Sequence, residues 1–167
     1  MSGDDDLPLA IVDIDGVLAD VRHRLHHLQR RPKDWRSFFA AARLDDVHPE
    51  GMAVVERLRE GHEVVLLTGR PAHLEADTRA WLAEHGLGDL PLVMRPADDR
   101  RPAARVKVEQ LRDLACGRVV AVVVDDDPEV IAAMAVAGHP TFLADWAPRA
   151  GRDGATLREA QEREGRM

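Results

Sequence analysis

A chain of 167 residues, 45% of them hydrophobic, has material for one well-filled core and little for a second domain. Its formal net charge of −7 argues against a protein that grips extended duplex nucleic acid through a basic face. A single cysteine, Cys116, excludes an intramolecular disulfide, no stretch approaches the roughly 18 apolar residues of a membrane span, and the acidic start, Asp4 to Asp6, lacks a signal-peptide pattern, so a cytoplasmic protein with no membrane partner is expected.

Leu9 to Asp13 is an apolar run closed by an acid and soon followed by Gly16, which predicts a buried strand with a turn at its carboxyl end. Val21 to about Arg31 is rich in Arg and His until Pro32 interrupts it. Trp35, Phe38 and Phe39 follow at helical spacing, so the stretch from about 20 to 50 reads as a small helical insertion. Gly51 to Glu60 is an amphipathic helix stopped by Gly61. His62 to Thr68 is a second buried strand, followed by Gly69 and a helix over 73–85. Leu90 to Met94 is a third strand, and 102–115 a helix begun by a proline. Arg118 to Val124 is a fourth strand ending in Asp125, Asp126 and Asp127. A helix over 128–137 and a short strand over 140–143 complete the pattern. Residues 151–167 are rich in Arg and Glu and read as a charged tail, a frayed helix or disordered, beyond a single domain over 1–150.

Strand and helix alternate throughout, and the strands are aliphatic and β-branched. That predicts an α/β fold, a Rossmann-like central parallel sheet with helices on both faces and a small helical cap. In such sheets ligands bind beyond the carboxyl ends of the strands. Three strands end there in polar groups: Asp13 with Asp15, Thr68 with Gly69 and Arg70, and the Asp125 to Asp127 cluster. Like charges gathered this closely need a cation, and oxygen donors without His or Cys favour Mg2+. Asp13, Asp15, Asp125 and Asp126 are the candidate ligands. Asp13 would attack phosphorus to give an aspartyl-phosphate. Asp15 would donate a proton to the leaving oxygen and later take one from water. Lys107 and Thr68 would hold phosphoryl oxygens.

The string Asp13-Ile14-Asp15-Gly16-Val17-Leu18-Ala19-Asp20 resembles the first motif of the haloacid dehalogenase (HAD) superfamily. Thr68 is similar to the second motif, Lys107 to the third and Asp125-Asp126 to the fourth, in order across roughly residues 9–145. The segments Thr68-Gly69-Arg70, Leu92 to Arg95, Val106-Lys107 and Val124 to Asp126 resemble more closely the phosphatase domain of phage-type polynucleotide kinase/phosphatase. That resemblance implies removal of 3′-phosphates from nucleic-acid ends and nucleotides. Gly69, Arg70, Arg95 and Arg101 are candidates to bind the substrate. The chain has no Gly-rich Walker loop, so no kinase half is expected, and Asp127 stands where that family often has Arg.

Other features have plainer readings. Asp127 can cap a helix N-terminus. His23, His26 and His27 suit a solvated face, and Trp35, Phe38 and Phe39 suit the packing of a cap. Asp4 to Asp6 reads as a solvated tail. Only about 30 residues separate the first motif from the Gly51 helix, so no large lid is expected and the cleft should stand open to bulky substrates. The first expectation is a phosphomonoesterase for nucleotides or nucleic-acid 3′-phosphate ends. The alternatives are a phosphatase for sugar phosphates or another small metabolite, and a non-catalytic module on the same fold.

Overall fold

The computed structural model describes residues 7–147 and 151–167, so the Asp4 to Asp6 run lies outside the described residues. Strand β1 is Leu9–Val12, four buried aliphatic residues. A two-residue strand β2, Ala19–Asp20, leads into the insertion, which carries helices α1, His26–Gln29, and α2, Trp35–Ala40. Asp34 caps α2, accepting from the Ser37 amide at 2.9 Å. Strand β3, Asp46–Val47, returns antiparallel to β2 and closes the cap at its neck.

The frame then alternates as its sequence pattern predicts. Helix α3 is Pro49–Leu58, β4 Glu63–Pro71, α4 Glu75–Glu84, β5 Leu92–Arg95 and α5 Ala103–Ala115. Strand β6, Val120–Asp125, helix α6, Pro128–Val136, and strand β7, Thr141–Leu143, follow. The five long strands form one parallel sheet ordered β5-β4-β1-β6-β7.

The period of two in β1 explains the layers. Ala10 and Val12 face one side with Val64, Leu66, Val55 and Trp81, the side covered by α3 and α4. Leu9 and Ile11 face the other with Leu111, Val130 and Met134, from α5 and α6. Fully burying one such aliphatic side chain stabilises by about 1.5–3 kcal/mol, so β1, buried on both faces, anchors the sheet. Strand order reverses at β1, with β4 on one side and β6 on the other, and their carboxyl ends open into a crevice there.

The segment expected as a charged tail is instead structured. Helix α7, Gly151–Arg158, runs on into a π-helical stretch, Glu159–Arg163. Leu157, Ala160 and Met167 are buried against Val21, Leu25, Leu28, Phe38 and Phe39 of the cap. The few apolar residues of an otherwise polar segment share one face, and the cap supplies the surface that buries it. The cap aromatics therefore serve packing: Phe38 is wholly buried, and Trp35 stacks edge-on against it at 6.0 Å.

Candidate active site

Asp13 follows β1 directly, and Asp125 is the last residue of β6. These strands are hydrogen-bonded neighbours, with Val12 paired to Val124. Parallel register therefore places the two acids side by side. Carboxylate oxygens of Asp13, Asp125 and Asp126 lie within 4.8 Å of one another. The Asp13 carboxylate accepts from the Ile14 amide at 2.8 Å, and that of Asp125 from the Asp127 amide at 2.9 Å. Gly16 has φ of +83° and lies so close to Asp126 that a Cβ would fall 2.3 Å from its Oδ2. Only glycine permits both that turn and that approach.

Lys107 reaches this group from α5. Its Nζ stands 2.6 Å from Asp125 Oδ2 and 3.1 Å from Asp13 Oδ2. Burial alone would lower its pKa, but Asp125 and Asp13 outweigh it and hold the ammonium charged. Burial drives the Asp13 carboxyl well above its ordinary value against the pull of Lys107, and Asp125, Asp126 and Asp15 add to the rise. A set of clustered oxygen donors with excess negative charge fits a small hard dication.

Asp15 is not in that cluster. Its Oδ1 accepts from Arg70 Nη2 at 2.6 Å and from Arg24 Nη2 at 2.8 Å. Both arginines also hold Asp45, at 3.0 Å from Arg70 Nη2 and 2.8 Å from Arg24 Nε. All four groups are buried, and Trp81 Nε1 fixes Asp45 through its carbonyl at 2.8 Å. Burial would raise the Asp15 carboxyl, but Arg70 and Arg24 outweigh it and hold it below its ordinary value. Sequence reasoning missed Arg24 and Asp45. Nothing distinguishes a buried arginine from a surface one until its acidic partner, here 21 residues away, is known.

Thr68, Gly69 and Arg70 lie inside β4 rather than in a turn after it. The β4–β5 register skips from Thr68 opposite Met94 to Pro71 opposite Arg95, leaving Gly69 and Arg70 as an irregularity. That irregularity lets Arg70 turn toward Asp15. Thr68 is buried, and its hydroxyl accepts from the Arg70 amide at 3.2 Å. Asp127 caps α6, accepting from the Glu129 amide at 3.0 Å.

Two expected substrate contacts are engaged elsewhere. Arg95 is wholly buried and donates to the carbonyls of Arg101 at 2.8 Å and of Asp99 and Met167 at 3.4 Å. Arg101 pairs with Asp99 and Glu109, both at 2.8 Å, and holds the Asp99 carboxyl down to about 2. The open cleft expected from the short cap is not found. Asp13, Asp15, Thr68, Lys107 and Asp125 are each at most 4% exposed, and residues 151–167 pack on the cap and reach Gly69 beside them.

A parallel sheet with a strand-order switch, carrying acids and a lysine at its carboxyl edge, defines a HAD-type phosphatase, a hydrolase of phosphoric monoesters. Residues 8–143 match the family model described as the polynucleotide kinase PNKP phosphatase domain. The chain belongs to that family. A comparison with curated proteins found no match. Among solved structures, a chain of the Pnkp1/Rnl/Hen1 complex is similar at 24% identity and a TM-score of 0.68, over 89% of this chain and 50% of that one. A chain of the Pnkp1/Rnl/Hen1 RNA repair complex is similar over 86% of this chain and 44% of that one, so the present chain spans about half the length of these relatives. The haloacid dehalogenase-like hydrolase SP0104 from Streptococcus pneumoniae has a TM-score of 0.62 at 11% identity, over 95% of this chain and 92% of that one. The candidate HAD-hydrolase YfnB from Bacillus subtilis, bound to magnesium, has a TM-score of 0.59 at 8% identity, over 81% and 87%. At these identities the likeness is one of fold.

Proposed function

We propose that the chain is a Mg2+-dependent phosphomonoesterase that acts through an aspartyl-phosphate on Asp13, with nucleotides or nucleic-acid 3′-phosphate ends as substrates. The observation that carries this reading is the buried contact of Asp13, Lys107 and Asp125 within a chain of the PNKP phosphatase-domain family. The Pnkp1/Rnl/Hen1 structure is described as an RNA repair complex, which supports a phosphorylated nucleic-acid end as substrate.

Asp13, Asp125 and Asp126 would hold the ion, which supplies charge neutralisation at the phosphoryl oxygens when bound. Lys107 keeps its charge and is placed to stabilise the equatorial oxygens as Asp13 attacks phosphorus and the ester oxygen leaves. The Thr68 hydroxyl, on the neighbouring strand β4, is placed to donate to a phosphoryl oxygen. Asp15, held ionised by two guanidiniums, is suited to take the proton of the water that later attacks the aspartyl-phosphate. An arriving phosphate dianion opposes those guanidiniums and raises Asp15 toward its neutral form, which then protonates the leaving oxygen.

The test is release of phosphate with Mg2+ from nucleoside 3′- and 5′-monophosphates, sugar phosphates and a 3′-phosphorylated oligonucleotide. A wide margin for sugar phosphates removes the nucleotide claim. That outcome supports the second reading, a phosphatase for small metabolites, which the covered mouth favours.

A further inference from the structure

Residues 151–167 lie outside the stretch matched by the family, 8–143, yet they contact both the cap and the elements beside the site. On the cap side, Leu157, Ala160 and Met167 bury themselves against Leu25, Leu28, Phe38 and Phe39. Gln29 donates to Asp153 at 2.8 Å, and Lys33 pairs with Glu164 and, at 3.0 Å, with Glu159. On the sheet side, Glu162 accepts from the Ala104 amide at 3.3 Å and hydrogen-bonds Asp127, two residues beyond Asp125. The Met167 main chain lies directly on Gly69. A Cβ added at Gly69 would sit 2.1 Å from the Met167 carbonyl carbon. The segment thus runs from the cap to Gly69 of β4, Ala104 of α5 and Asp127, just beyond β6.

The consequence is steric. The acids, Thr68 and Lys107 are buried with the segment in place, so a phosphate ester attached to a polymer would need room beside Gly69 and the cap that the segment occupies. On the cap side the segment contributes three residues, Leu157, Ala160 and Met167, to a buried layer and adds the ion pairs of Lys33, so it can be released without opening the sheet.

We propose that residues 151–167 are an intramolecular strap that excludes nucleic-acid ends when seated and admits them when released, making it the specificity element of this phosphatase. The proposal rests on the phosphomonoesterase reading above. A seated-to-released ratio of roughly ten to one would lower apparent affinity for a bulky substrate about tenfold.

The full-length chain is compared with Lys33→Glu, with Leu157→Asp, and with a charge-swapped triple variant, Lys33→Glu, Glu159→Lys and Glu164→Lys. Hydrogen exchange of 151–167 and kcat/KM for p-nitrophenyl phosphate and a 3′-phosphorylated oligonucleotide are measured on each. Exchange in the segment is expected to rise in the first two variants. Their kcat/KM on the oligonucleotide should rise about tenfold and on the aryl phosphate about two- to threefold, and the triple variant should return both toward the parent. Freer exchange without a gain on the oligonucleotide, an equal gain on both substrates, or a segment that stays protected in both variants overturns the strap. No turnover of any phosphomonoester by any of the four proteins removes the proposed function itself, and the strap's role with it.

Discussion

Lys107 Nζ lies 2.6 Å from Asp125 Oδ2, an ion pair sealed from solvent at the end of the strand that flanks β1. Breaking a buried pair by removing one partner typically costs about 3–5 kcal/mol, because the other charge stays behind. Lys107→Met should therefore lose stability on that scale and lose turnover. Thermal unfolding with and without Mg2+ checks it: the ion should stabilise the variant more than the parent, since it replaces part of the missing charge.

Asp13→Asn should abolish turnover, by on the order of 10³-fold or more, because the nucleophile is gone. It should also stabilise the fold at neutral and higher pH in a chelator. The Asp13 carboxyl is raised well above its ordinary value of 3.8, so its favourable contribution is complete below that value and is lost as pH rises through the folded pKa. Asparagine has no such loss. Stability of the two proteins measured from pH 4 to pH 8 should diverge progressively with pH.

Arg24→Met should lower kcat about 10²-fold and move the limb of the pH–rate profile that reports Asp15 upward. Arg24 is one of two guanidiniums holding that carboxyl below its ordinary value. A depressed carboxyl contributes stability above pH 4 that is lost as pH falls through the folded pKa, so the variant should also show a shallower acid-unfolding slope. An unshifted profile would leave Arg24 with a packing role only.

Glu162 supplies a second pH signature. Burial, then its hydrogen bond to Asp127, pushes its carboxyl up to about 8 from 4.5. The stability it contributes is full below pH 4.5 and declines until about pH 8. Exchange protection of 151–167 should fall across that window, and Glu162→Gln should flatten the dependence.

Added Mg2+ should raise the unfolding temperature, with a stabilisation of about 2.7 kcal/mol at a hundredfold excess over its dissociation constant. Asp126→Asn should move that dependence to higher ion concentrations. Titration calorimetry of the parent and the variant measures both constants directly.

Much of the sheet was legible because its evidence is local. Four consecutive aliphatic residues before Asp13, and the valine run before Asp125, fix buried strands, and acids at their ends fix where the chemistry gathers. Lys107 was legible because it sits in a helix with a clear start and resembles the third motif of the HAD superfamily. Arg24 and Asp45 were not, since a buried quartet is defined by partners that only folding brings together. The β4 irregularity was invisible for a related reason: register is a property of two strands, not of one. Residues 151–167 misled through composition. Their charges suggested solvent, whereas Leu157, Ala160 and Met167 needed only the cap's aromatic face to become a buried layer. The short cap therefore did not mean an open mouth.

The separation of Asp15 from the other acids carries one more consequence. Asp15 and Asp45 are matched by Arg24 and Arg70, so that quartet is electrically balanced. Asp13, Asp125 and Asp126 gather beside Lys107, which pairs with Asp13 and Asp125, so acids outnumber the ammonium there and burial and repulsion push the Asp13 carboxyl up. A dianionic ester approaching that acid-rich cluster is repelled, and a dication held there removes the repulsion. The enzyme's kinetics should therefore be ordered, with metal first and ester second.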